Sequence, residues 1–388
     1  MKLAIKTCTL DMPYEEMLDF CVSQKIAAIE IGTGNWSGAP HCDLDLLVSD
    51  RTAREKWYDA MRAKGLELCA LNCSGNPLAY EKEMDVTKKT FELAQMLDFC
   101  VEQKIAAIEI GTGNWSGAPH CDLDLLVSDK TAREKWYDAM RKKGLELCAL
   151  NCSGNPLAYE KDMDVTKKTL ELAHQLGVKK IVMMSGLPVG CEGDKTPVWI
   201  TTSWPPETQD ILDYQWNQVA IPAWKKLVKL AEDCGIERIA LENHGMQLVY
   251  NPETLLRLRE AVGPMIGRNL DPSHLFWMGG DPIEAARVLG EHGAIYHIHG
   301  KDSRPERRYW QPNGMLDTKP IDAFARRSWN YVAVGAGHDA KWWKEFFSVV
   351  RMSGYNDEIS LEMEDLTLSM LDGHLASLQV LREALNIG

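Results

Sequence analysis

The sequence predicts an α/β protein, a (βα)8 barrel in which one stretch is written twice. Three observations carry this. Short apolar runs alternate with helix-patterned segments along the chain. With one copy of the repeat set aside, eight such units fill the remaining 309 residues, as a parallel sheet wrapped by helices requires. Residues 17–94 match residues 96–173 at an offset of 79, with five differences in 78 positions: Ser23/Glu102, Arg51/Lys130, Ala63/Lys142, Glu83/Asp162 and Phe91/Leu170. Finally, four consecutive strand-like runs in the C-terminal half each end in an acidic or imidazole side chain.

The elements follow in order. LAIKTCTL is the first strand. In each copy KIAAIEIG is a short apolar run, and AREKWYDAMRAKG (AREKWYDAMRKKG in the second) is helical and stops at Gly. LELCALNCSGNP runs from strand into turn, and DVTKKTFELA (DVTKKTLELA) opens a helix at Asp. The remaining strands are KKIVMMSG, RIALENHG, IGRNLDPSH, AIYHIHGKD and EISLEMED. Between them lie WNQVAIPAWKKLVKLAEDCG, NPETLLRLREAVG, DPIEAARVLGEHG and AKWWKEFFSVVRMSG, and HLASLQVLREALN closes the chain. Short apolar strands flanked by helices suit a sheet buried on both faces. Two copies are too few for a solenoid, which needs at least three stacked units. The expectation is therefore one barrel domain over residues 1–388. The segments 17–94 and 96–173 duplicate its strand 2–strand 3 region, and one of them is extra to the barrel. Copy 1 is continuous with the first strand and copy 2 with the fourth, so the sequence leaves open which copy completes it.

The totals narrow the function. The apolar share of 45% and charged share of 26% are those of a soluble globular protein. Forty-three basic against 56 acidic residues give a net charge of −13, which repels a phosphate backbone and argues against nucleic acid as substrate. The 11 cysteines are odd in number, contain no Cys-x-x-Cys, and include eight that are the repeat counted twice. That favours buried thiols in a reducing cytoplasm over a disulfide framework. The start, MKLAIKTCTLDMPYEE, reads as no signal peptide, and no run of about 18 apolar residues predicts a membrane span.

In a (βα)8 barrel the chemistry sits at the C-terminal strand ends. RIALENHG brings Glu242, Asn243 and His244 there, and RNLDPSH brings Asp271 and His274. YHIHGKD brings His297, His299, Lys301 and Asp302, and ISLEMED brings Glu362, Glu364 and Asp365. Neighbouring strands lie about 4.8 Å apart, so such ends can converge on one ion. Alternation selects Glu242, Asp271, His299 and Glu362: three carboxylates and one imidazole. That set favours Mn²⁺, with Mg²⁺ and Co²⁺ as the other candidates, over a thiolate zinc site. A single acid at a strand end is commonly a surface or loop-capping group; four in consecutive strands argue for a shared site.

ALENH, NLDPSH, HIHGKD and SLEMED resemble the sugar phosphate isomerase/epimerase superfamily, whose fold is the xylose-isomerase-like TIM barrel. It holds ketose 3-epimerases, inosose dehydratases and the catalytic subunits of C-glycoside deglycosidases. The likeness covers the chain apart from one repeat copy. It implies one divalent metal ion held by Glu242, Asp271, His299 and Glu362, with Glu242 and Glu362 also acting as acid and base. His274, Lys301, Arg304, His338, Asn151 and Glu109 are candidate substrate contacts. Asn72 and Glu30 occupy the same places in the first copy, and only one of each pair can line the site.

Moving a proton next to a carbonyl creates an oxyanion that a divalent ion stabilises, and a carboxylate pair can take and return the proton. The expected function is a cytoplasmic isomerase or epimerase on a keto-sugar or related polyol. A lyase that dehydrates, or eliminates the aglycone of a 3-keto glycoside, is the alternative. The long loops LPVGCEGDKTPVWITTSWPPETQDILDYQWN and KDSRPERRYWQPNGMLDTKPIDAFARRSWNYVAVGAGHD support that alternative. They carry Trp199, Trp204, Trp216, Trp310 and Trp329, which suit a sugar ring or an aryl group or simply pack the loops. An endonuclease-type hydrolase would need a basic groove, and a scaffold would need a third repeat. The expected partners are a small sugar and a second copy of the chain, with a small accessory subunit under the lyase reading.

Overall fold

The computed structural model describes residues 4–7, 10, 12–34, 39–72, 96–118 and 120–386. They divide into two compact units, Met1–Ile105 and Ala106–Gly388.

In the first unit β1 (Ala4–Lys6), β2 (Ala28–Gly32) and β3 (Glu67–Asn72) form a parallel sheet in that order. The helix Tyr14–Ser23 crosses from β1 to β2 and buries Met17, Leu18 and Cys21. The helices Leu44–Ser49 and Arg51–Ala63 start where Asp43 and Asp50 accept backbone N–H groups at their first turns. The helix expected from DVTKKTFELA of the first copy lies outside the described residues.

The second unit holds β4 (Ala107–Gly111), β5 (Glu146–Asn151), β6 (Lys180–Met183), β7 (Arg238–Glu242), β8 (Ile266–Leu270), β9 (Ile295–Gly300), β10 (Asp302–Pro305), β11 (Trp329–Val332) and β12 (Ile359–Leu361). Seven of these run parallel in the order β12-β9-β8-β7-β6-β5-β4, and β10 and β11 form an antiparallel hairpin. β6 and β8 are buried along their whole lengths, as strands covered on both faces must be. The helices expected from sequence are present: Glu160–Leu176, Ile221–Asp233, Pro252–Val262, Pro282–Glu291, Ala340–Met352 and Met370–Leu385. Asn251 and Thr254 make a capping box at the start of Pro252–Val262.

The sheet is a TIM barrel, nearly closed, with seven strands where the sequence suggests eight. The eighth, β1, pairs with β2, Ala4 opposite Ala28. The reason is proximity along the chain: a crossover of about 20 residues joins β1 to copy 1, whereas about 100 separate it from β4, and loop closure costs more as the loop lengthens. The ends of the barrel approach through side chains. His297 on β9 bonds both Glu109 of β4 and Ser360 of β12, each at 2.8 Å.

Paired residues in a parallel sheet point the same way. The register Asn151↔Val182, Val182↔Ala240, Glu242↔Asn269, Asn269↔His297 and Ser360↔His299 therefore identifies one inward-facing set. Ala149, Val182 and Ala240 form its buried apolar floor. Among the described residues, no helix is long and apolar enough to cross a membrane.

Candidate metal centre and active site

Glu242 ends β7, Asp271 follows β8, His299 lies on β9 and Glu362 follows β12. One ligand atom from each lies within 4.8 Å of the others. Asp271 is held twice over. Its Oδ1 accepts from Ser273 N at 2.8 Å and Ser273 Oγ at 2.7 Å, capping the helix Pro272–Met278. Its backbone is clamped by Asn243, which donates to Asp271 O at 2.7 Å and accepts from Asp271 N at 2.9 Å. That leaves Oδ2 buried with no hydrogen-bond partner, as are His299 Nδ1 and Glu362 Oε2. The last two face each other at 2.9 Å as an ion-pair contact. Orphaned polar atoms are costly inside a protein. Three of them converging, two from hard oxygen donors and one from an imidazole, are what a divalent cation would satisfy.

The charges in the cluster constrain one another. Carboxylates this close cannot all carry charge unopposed. Burial pushes Asp271 up to about 8, with Lys301 opposing and Glu242 and Glu362 adding to the rise. Glu242 is also raised, by burial first. Burial would raise Glu362 too, but Lys301 and His299 hold its carboxyl well below the usual range. Burial would lower His299, yet Glu109 and Glu362 on either side of the ring raise it well above the ordinary imidazole value.

The remaining candidates fall into three places. His274 is fully buried, 2.9 Å from Glu242 Oε1 and 3.1 Å from the Tyr331 hydroxyl. Burial, then Lys301, keeps it neutral, so Nε2–H donates to Glu242 and Nδ1 accepts from Tyr331. Its ring is thus held between Glu242 and Tyr331. Lys301 also lies against the cluster, with Nζ 2.8 Å from Glu362 Oε1, 3.0 Å from Glu364 Oε2 and 4.5 Å above the Tyr331 ring. Glu109 and Asn151 join inside the barrel, with Asn151 Nδ2 donating to Glu109 Oε1 at 2.7 Å.

Two candidates sit differently. Arg304 makes a two-pronged contact with Glu306, at 3.0 and 2.8 Å, on the wall of a cavity shared with Tyr309, Phe324, Tyr331 and Glu364. His338 stacks flat on Phe276 at 3.6 Å and bonds Asp302 at 2.8 Å, tying its loop to the start of β10.

The tryptophans divide likewise. Trp216 is buried, with the Arg257 guanidinium 4.2 Å from its ring, and Trp329 stacks on Trp277 at 5.0 Å. Both pack the loops, whereas Trp204 is exposed. Asn269 and Tyr331 were not singled out from the sequence, and His297 was placed at a strand end but left out of the ligand set in favour of His299. His297 carried a signal, its two-residue spacing from His299; Tyr331 carried none beyond its place in a long loop.

A family model described as a xylose isomerase-like TIM barrel matches residues 97–384. The chain is 57% identical over 297 residues to the uncharacterised protein YfiH of Bacillus subtilis (strain 168), covering 75% of this chain and 94% of that one. Among solved structures it is similar to the probable 3-DHS dehydratase AsbF of Bacillus anthracis. That match has a TM-score of 0.50 and 18% identity, over 74% of this chain and 92% of that one. It also matches the 3-keto-D-glucoside 4-epimerase YcjR of E. coli with a TM-score of 0.46 and 15% identity, over 76% and 93%. At 18% identity the likeness to AsbF is one of fold.

Proposed function

Because the chain belongs to the xylose isomerase-like TIM barrel family, we propose that it is a divalent-metal-dependent isomerase or epimerase. Its substrate is a keto-sugar or related polyol, and the reaction moves a proton on the carbon beside the carbonyl. The observation that carries this is the convergence of Glu242, Asp271, His299 and Glu362 within 4.8 Å. A divalent cation bound there, Mn²⁺ first among the candidates, supplies positive charge for the oxyanion that develops when the proton leaves.

The chain's own groups do the rest. Glu242 and Glu362 are the carboxylates that take and return the proton. Asp271, clamped by Asn243 and Ser273, holds its place without moving. Lys301 keeps Glu362 ionised and fixed, and His274 orients Glu242 from behind. Glu242, Asp271, His274, His299 and Lys301 are buried, which strengthens the electrostatic interactions among them.

The test is deuterium uptake from D₂O by a panel of keto-sugars and 3-keto glycosides, with and without Mn²⁺. Uptake at the carbon beside the carbonyl, dependent on the ion, is the expected result. No uptake from any substrate by the loaded protein would overturn the reading. The aromatic cavity lined by Tyr309, Phe324 and Tyr331 beside Glu364 supports a second reading, elimination from a 3-keto glycoside. The same assay would reveal it as release of the aglycone.

A further inference from the structure

His299 touches two groups of side chains, one on each edge of its ring. Nδ1 faces the ligand cluster, 2.9 Å from Glu362 and 3.7 Å from Glu242. Nε2 faces the other way, 3.3 and 3.4 Å from the two oxygens of Glu109. Glu109 belongs to β4, on the far side of the barrel's open seam, and it is itself fixed at both oxygens. His297 Nε2 meets Oε2 at 2.8 Å, and Asn151 Nδ2 donates to Oε1 at 2.7 Å. The Asn151 amide cannot be the other way round. Its Oδ1 accepts from the Ser153 backbone N–H at 2.9 Å and from Ser153 Oγ at 2.8 Å, so its NH₂ must face Glu109.

We propose that Glu109 is a positioning residue for the metal centre. Its carboxylate accepts the Nε2 proton of His299, which leaves the lone pair on Nδ1 and aims it at Glu242, Asp271 and Glu362. The inference rests on the reading that those residues hold a divalent cation.

A ligating imidazole must be neutral, and the hydrogen bond at its other nitrogen decides which nitrogen is free. Asn269 lies 3.1 Å from the same Nε2, and its Oδ1 is buried without a partner. Amide O and N are interchangeable assignments, so turning this amide lets Oδ1 share the Nε2 proton. The sequence signals none of this. Glu109 lies 190 residues from His299, and its copy-1 twin Glu30 stands in an identical AIEIG strand.

That twin supplies the control. Mn²⁺ would be titrated calorimetrically into the full chain and into Glu109→Gln, Glu109→Ala and Glu30→Gln. The expected result is one ion per wild-type chain, with affinity falling from wild type to Glu109→Gln to Glu109→Ala. The Ala loss should be about 10–100-fold, and Glu30→Gln should stay within about twofold, the latitude allowed a substitution that does not couple to the site. Glu109→Gln keeps an acceptor oxygen, so it tests the grading even where Glu109→Ala folds poorly.

Nitrogen-15 NMR of the Zn²⁺-loaded wild type should place the His299 proton on Nε2, a readout that a merely structural role would not set. Wild-type affinity in Glu109→Ala would overturn the proposal. So would weakening in Glu30→Gln alone, or a second ion lost on removing Glu109. Absence of any Mn²⁺ binding by the wild type would instead sink the cation reading on which the proposal stands.

Discussion

The two copies set one amino-acid sequence in two surroundings. Within each copy the local structure repeats closely. Asp43 and Asp122 cap equivalent helices through Leu46 N and Leu125 N, both at 3.1 Å. Arg54 and Arg133 donate to Leu47 O and Leu126 O, both at 2.7 Å. Cys69 and Cys148 each reach the carbonyl of the neighbouring strand at 3.2 Å. Even the irregularity in pairing recurs, between Ile29 and Glu30 and between Ile108 and Glu109.

What differs is how each copy meets the rest of the chain. Among the described residues β3 is the last strand of its sheet, whereas β5 goes on to pair with β6. Trp57 is buried and stacks on Tyr14 at 5.9 Å; position 93, the counterpart of Tyr14, is Leu, and Trp136 is half-buried. Caps, turns and strand starts are thus written in a few adjacent residues, while burial and chemistry depend on distant parts of the chain.

This contrast can be broken or sharpened by experiment. The largest effect is expected at the cluster itself. Asp271→Asn removes a carboxylate held in place by four hydrogen bonds and should lower Mn²⁺-dependent deuterium uptake by about 10²–10³-fold, the scale on which electrostatic stabilisation acts. Isotope-ratio mass spectrometry checks it, and a comparable loss from any substitution in residues 4–72 would erase the distinction between the copies.

A smaller effect separates the twin thiols. Burial pushes Cys148 up to about 12, whereas Cys69, also raised by burial, is exposed. The thiolate is the reactive form, so at pH 8 Cys148 is almost wholly protonated. A disulfide reagent followed by peptide mapping should label Cys69 at least about tenfold faster, and the gap should narrow as the pH rises toward 12.

How much of this was legible in the sequence follows the same division. The convergence of Glu242, Asp271, His299 and Glu362 was legible because each ends an apolar run and alternation fixes which residues point inward. The helices were legible from their caps and periodicity. The pairing of β1 was not, because copies 1 and 2 offer it the same AIEIG strand and only the length of the intervening chain distinguishes them. Nor was the role of His274. NLDPSH shows a histidine three residues after an acid, and only the fold reveals that its ring sits between Glu242 and Tyr331. The sequence left the Trp216 ring open between a sugar platform and loop packing, and the structure buries it. A loop sequence does not say which of its aromatic side chains find a buried partner.

The central claim is that strand ends of the second unit share one divalent cation. The most direct measurement is anomalous X-ray scattering at the manganese edge from crystals of the full chain soaked in Mn²⁺. One peak per chain, between Glu242, Asp271, His299 and Glu362, is the predicted result. A peak elsewhere, or none at saturating Mn²⁺, would contradict it.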